Sequence, residues 1–166
     1  MRSRYADVMP GAMKAMVALV REVRHSSLEP ALVELVKIRA SQMNGCAYCV
    51  DTHVRGARAR NESESRLQLL SVWRDAPCYS ERERAALRWC EEVTLIAQTH
   101  ASDAAYDEIG RWFSEEEVVA LTYAIISINS FNRLSVAFRQ PVDAPSPSGS
   151  QRRDDHHEVV TTLKAS

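Results

Sequence analysis

The chain has 166 residues, 45% of them hydrophobic and 26% charged, with a formal net charge of -1. That balance fits one folded domain and excludes a disordered chain, and with no basic excess it argues against nucleic acid as a main partner. The arginine-bearing start "MRSRYADVMPGAMKAMVALVREVRH" is interrupted by Lys14 and lacks a small-residue cleavage site, so no signal peptide is expected. Its placement is expected to be cytoplasmic, where thiols stay reduced. The apolar run "VVALTYAIISI", Val118 to Ile128, is too short for the roughly 20 apolar residues of a membrane span and is expected to be a buried core helix.

No stretch alternates apolar and polar residues long enough to argue a strand, and an all-α fold of about six or seven helices is expected. The first helix follows Met13, Met16, Val17, Leu19 and Val20 and stops in "RHSSLEP". Pro30 suits the first turn of the second, whose apolar residues are Leu32, Leu35, Val36 and Ile38 and whose terminators are Asn44 and Gly45. A third helix runs from Cys46 to about Arg60, and Ser63 opens a short fourth through Leu70. "SERE" at Ser80 to Glu83 forms a capping box for a fifth helix reaching Thr99. Ser102 caps a sixth, and Ser114 with Glu117 opens the last, toward Phe138. Residues 1–140 make the domain. The segment 141–166, rich in proline and serine and without aromatics, is expected to be a disordered tail, with "DDHH" at Asp154 to His157 a solvated stretch rather than a metal site.

The chemistry concentrates in "NGCAYCVDTH", residues 44 to 53. At roughly 100° per residue, a helix over these positions brings Cys46, Cys49 and His53 to one face. A thiol in the first helical turn feels the positive end of the helix dipole, which lowers its pKa, and a histidine one turn on can take its proton. Two such thiols permit a cycle in which one attacks a peroxide, becomes a sulfenic acid and condenses with the other to a disulfide. The same spacing fits half of a zinc site, for which Cys78 and Cys90 offer no paired spacing, or two buried structural cysteines.

The run "ELVKIRASQMNGCAYCVDTH", Glu34 to His53, resembles the signature of the alkylhydroperoxidase D (AhpD)-like proteins of the carboxymuconolactone decarboxylase superfamily, and "ERAALRWCEEVTLIA" and "INSFNR" resemble later segments of single-domain members. The resemblance implies a helical subunit assembled as a homotrimer or homohexamer that reduces organic hydroperoxides, with a thiol or lipoyl-type protein as reductant and no cofactor or metal. It implies Cys49 as the peroxidatic thiol, Cys46 as the more exposed resolving thiol, and His53 and Glu34 as a proton relay. Glu34 is placed by this pattern alone; from the residues themselves it reads as a buried carboxylate paired with Lys37 or Arg39. Where the well-studied AhpD enzymes carry a histidine before the second cysteine, this chain has Tyr48, a poor proton acceptor at neutral pH, so the implied relay is shorter. The rival functions are a thiol-disulfide oxidoreductase, a redox-sensing or binding protein of the same fold, and a decarboxylase-type lyase, which is not marked by such a cysteine pair.

Among the remaining residues, Trp73, Trp89 and Trp112 are expected in the core, and His25 and His100 at helix C-termini. Asn129, Asn132 and Arg133 are expected to hydrogen-bond between helices or subunits.

Overall fold

A computed structural model describes residues 2–142. The fold is all-α, with nine α-helices and one 3₁₀ turn among the described residues. In chain order these are α1 (Tyr5–Val8), α2 (Pro10–Arg24), α3 (Pro30–Met43), α4 (Ala47–Arg58), α5 (Glu64–Leu69) with the 3₁₀ turn Leu70–Val72, α6 (Glu81–Thr94), α7 (Ile96–Thr99), α8 (Asp103–Ile109) and α9 (Glu115–Phe138). The excess over the expected six or seven is the single-turn α1 and α7. The stretch Asp154 to His157 lies outside the described residues.

Helix α3 sits at the centre, packed against α4, α6 and α9. Leu35, Val36 and Ile38 are fully buried, and so is Ala40, so the helix is enclosed nearly all round rather than on one stripe. This enclosure takes Glu34, Lys37 and Ser41 into the interior as well. A buried charge or hydroxyl needs a partner; Glu34 finds His53 on α4, and Ser41 finds Asn132 on α9 together with the Lys37 carbonyl of its own helix.

Most helix boundaries follow the capping chemistry. Pro30 occupies the first turn of α3, and Ser63 accepts from the Arg66 amide at the start of α5. Both capping boxes form, Ser80 with Glu83 and Ser114 with Glu117. Ser102 stands at the N-cap of α8 but makes no side-chain cap bond there. Helix α6 stops at Thr94 rather than Thr99. The Thr99 hydroxyl donates to the Glu92 carbonyl at 2.6 Å, so a side chain claims an acceptor that a continuous helix would give to a backbone amide. The first long helix opens at Pro10, before the expected Met13, because Pro10 fills its first turn.

Two further expectations are corrected. Helix α9 buries Val118, Leu121, Ala124, Ile125 and Ile128, but Val119, Tyr123 and Ile126 are about half exposed (50%, 48% and 44%). A helix lining one side of a single chain covers one stripe, and the opposite apolar stripe stays open. Trp73 and Trp89 are in the core, donating to Glu91 and Thr122 respectively, whereas Trp112 is exposed. No described helix is long and apolar enough to cross a membrane.

Candidate active site

The tripeptide Asn44-Gly45-Cys46 joins two helix ends with no spare residue. Asn44 caps α3; Gly45 takes the left-handed conformation at φ +64° and donates to the Gln42 carbonyl at 3.2 Å; and the Cys46 amide donates to the Ser41 carbonyl at 3.0 Å. These two bonds satisfy the last carbonyls of α3 in the Schellman pattern. No atom lies within 4 Å of a Cβ built on Gly45, so glycine is required by its φ and not by space. Cys46 is at the same time the N-cap of α4, and its sulfur accepts the Cys49 amide at 3.3 Å. The sequence places the pair on the first turn of α4, and the structure makes Cys46 the cap residue just before it.

Cys46 and Cys49 are joined as a disulfide, with their Cα atoms 5.4 Å apart, inside the ordinary range for such a bond. Both are buried within the main apolar cluster, at 1% and 3% exposure, so Cys46 is not the more exposed of the two. The cause is its cap position, tucked beneath the end of α3. An open cavity of about 520 Å³ lies beside it, with Cys46, Gln42, Ala47, Val50 and Val54 in its wall. Cys46, and not Cys49, is the sulfur-bearing residue of that wall.

One turn beyond Cys49, His53 Nδ1 lies 2.8 Å from Glu34 Oε2. An ionised carboxylate only accepts, so Nδ1 carries the proton and Nε2 is the basic atom of the ring. Burial pushes the His53 pKa down, the Glu34 bond opposes this, and the nearby Lys37 and Arg24 charges add to the fall. Burial pushes the Glu34 carboxyl up, but the His53 bond and the charges of His53, Lys37 and Arg60 outweigh it and leave it below its ordinary value. The ground state is therefore an ionised Glu34 holding a neutral His53. Arg39, the alternative partner, instead donates to Glu91 at 2.8 Å, while Arg60 approaches Glu34 Oε1 at 3.6 Å.

The structure thus brings together all four sequence candidates as two pairs, Cys46 with Cys49 and His53 with Glu34, both at α4. Among the described residues no hydrogen bond joins His53 to either sulfur in this oxidised form. Three neighbours complete the surroundings of these pairs. Lys37, buried at 6% exposure one turn after Glu34, has its pKa lowered, first by burial. Gly56 presents bare backbone to Glu34, where a Cβ would stand 3.1 Å from Oε2. Asn44 donates to Asn129 Oδ1 at 2.7 Å and Asn132 Oδ1 at 2.9 Å, linking the cysteine turn to α9. Of these only Gly56 carries no expectation from the sequence, although a glycine inside a helix is a legible signal. The other cysteines stand apart: Cys90 is fully buried and its thiol is pushed by burial up to about 12, and Cys78 is half-buried. Among the described residues no three His, Cys, Asp or Glu side chains converge as a metal site.

The profile of the carboxymuconolactone decarboxylase family matches residues 10–92, which contain Glu34, Cys46, Cys49 and His53. The chain belongs to that family. Within it, this AhpD-like member is 40% identical over 136 residues to the uncharacterized protein YdfG of Bacillus subtilis, covering 82% of this chain and 92% of that one. It is 47% identical, with a TM-score of 0.82, to the crystal structure of a protein of unknown function from Agrobacterium tumefaciens proposed to be the antioxidant defence protein AhpD; the match covers 86% of this chain and 99% of that one. The debrominase Bmp8 shares the fold at 21% identity and a TM-score of 0.73, over 81% of this chain and 73% of its own.

Proposed function

We propose that this family member is a thiol-dependent peroxidase that reduces organic hydroperoxides through a Cys46–Cys49 dithiol-disulfide cycle. The observation that supports it is the disulfide at the N-terminus of α4 with the buried Glu34–His53 pair one turn further along the same helix. In the reduced form the Cys49 thiol gives its proton to His53 Nε2, directly or through water, and the first turn of α4 stabilises the thiolate. The thiolate attacks the terminal oxygen of the hydroperoxide, an S–O bond forms, the O–O bond breaks, and the alkoxide leaves as an alcohol with the relayed proton. Cys46 then attacks the sulfenic acid, the S–S bond forms and water leaves. A thiol reductant of the lipoyl or small-dithiol kind supplies two electrons by attacking Cys46 from the cavity, releasing the Cys49 thiolate.

Replacing Cys49 with serine is expected to abolish hydroperoxide turnover while leaving the fold intact; turnover near that of the wild type would refute the role of Cys49. The homotrimer or homohexamer that the family resemblance implies would cover the open stripe of α9, and the protein would work in the cytoplasm. A second reading, thiol-disulfide exchange as the main activity, is favoured by the cavity wall holding Cys46 rather than Cys49, since an entering disulfide or thiol meets the exchange sulfur first. Comparing kcat/KM for a model disulfide with that for cumene hydroperoxide separates the two.

A further inference from the structure

Helix α9 carries two carboxamides in the apolar interior, Asn132 at 0% and Asn129 at 8% exposure. A buried amide costs free energy unless its donors and acceptor are all engaged, so packing alone would favour an aliphatic pair. Their bonds converge on the turn that ends in Cys46. Asn129 Oδ1 and Asn132 Oδ1 share the Asn44 side-chain amide, at 2.7 and 2.9 Å, and Asn132 Nδ2 donates to Ser41 Oγ at 3.0 Å. Ser41 Oγ in turn donates to the Lys37 carbonyl at 2.7 Å, while the Ser41 carbonyl receives the Cys46 amide. The orientation of Asn129 is fixed independently, since its Nδ2 donates to Thr94 Oγ1 and the Ile125 carbonyl.

We propose that Asn129 and Asn132 are positioning residues for the redox pair: by gripping Asn44 and Ser41 they hold Cys46 within closing distance of Cys49 when the two are reduced. The proposal rests on the dithiol-disulfide cycle and adds what sets its equilibrium. In the disulfide form the covalent bond itself fixes the two sulfurs. In the dithiol form only the turn and its grip do so, so loosening the grip frees the reduced state and favours it.

The test is the equilibrium between the protein dithiol plus oxidised glutathione and the protein disulfide plus two reduced glutathione, followed by thiol alkylation without any peroxide. Asn132→Ala is expected to lower the constant for disulfide formation about tenfold, which is about 30 mV toward a more oxidising couple, with Ser41→Ala shifting it in the same direction. Thr122→Val, which removes the acceptor of the Trp89 indole between α6 and α9 without touching Asn129, Asn132 or the cysteine turn, is expected to lower thermal stability and leave the constant within twofold. Constants for Asn132→Ala and Ser41→Ala within twofold of wild type, or an equal shift in Thr122→Val, would overturn the grip while leaving the cycle standing. Should Asn132→Ala fail to fold, Ser41→Ala decides by the same criterion. A wild-type pair that reaches no equilibrium in the buffer would refute the cycle and the proposal together.

Discussion

His53 on α4 and Glu34 on α3 are 19 residues apart in sequence and 2.8 Å apart in space, and this bond fixes which imidazole nitrogen is basic. Glu34→Gln keeps the size of the side chain but can offer its amide oxygen or nitrogen to Nδ1, so the tautomer is no longer set. The expected result is a fall of about 10- to 100-fold in kcat/KM for hydroperoxide, within the range by which positioned acid-base groups contribute, with Tm changed little by comparison. Steady-state kinetics alongside thermal melts check both halves.

The acid side of the pH profile should also move. Because burial lowers the His53 pKa, the imidazole stays a competent base below its ordinary value of 6.5. Glu34 opposes that fall, so Glu34→Gln is expected to carry the acid limb of kcat/KM to still lower pH, not higher. A limb that moved upward would contradict the assignment of the pair.

Stability follows the same linkage. His53 and Glu34 both have folded pKa values below their unfolded ones, so on acidification the unfolded chain takes up protons before the folded one does. The stabilising contribution of each is full above its ordinary value, 6.5 for the imidazole and 4.5 for the carboxyl, and is lost as pH falls below it toward the folded value. Tm is expected to decline from about pH 6.5 downward, and His53→Gln should remove the first part of that decline.

Gly56 faces the Glu34 carboxylate, where the oxygen that binds His53 would stand 3.1 Å from an added Cβ. Alanine in place of glycine inside a helix is worth up to about 1 kcal/mol, so Gly56→Ala is expected to keep or raise Tm. The carboxylate must give way by a few tenths of an ångström, and the expected cost is several-fold in kcat/KM. The opposed signs in a melt and a rate measurement distinguish this from simple destabilisation.

What the sequence could and could not disclose divides along the range of the interactions. The "NGC" turn, both capping boxes and the cysteine pair are local, written in residues whose backbone preferences or spacing act within one or two turns. Glu34 was placed by a family pattern because nothing on its own helix points to a histidine 19 residues on. The inter-helix bonding expected of Asn129 and Asn132 is present, but their shared partner Asn44 lies 85 and 88 residues away in sequence, and nothing local names it. The burial of Cys46 was missed because cap position, not helix phase, decides it.

On α9, Val119, Tyr123 and Ile126 recur at spacings of four and three, which aligns them on one helical face, and all three are about half exposed. Removing such apolar area from water stabilises association by about 25 cal/mol per Å², and a charge at its centre opposes that burial. Light scattering at micromolar concentration is expected to report an oligomer for the wild type. Ile126→Glu, a change at a half-exposed position of α9, is expected to shift that mass toward the monomer while circular dichroism stays helical. A wild-type monomer would remove this face from the assembly proposal, and an unchanged oligomer in Ile126→Glu would place the contact elsewhere on the surface.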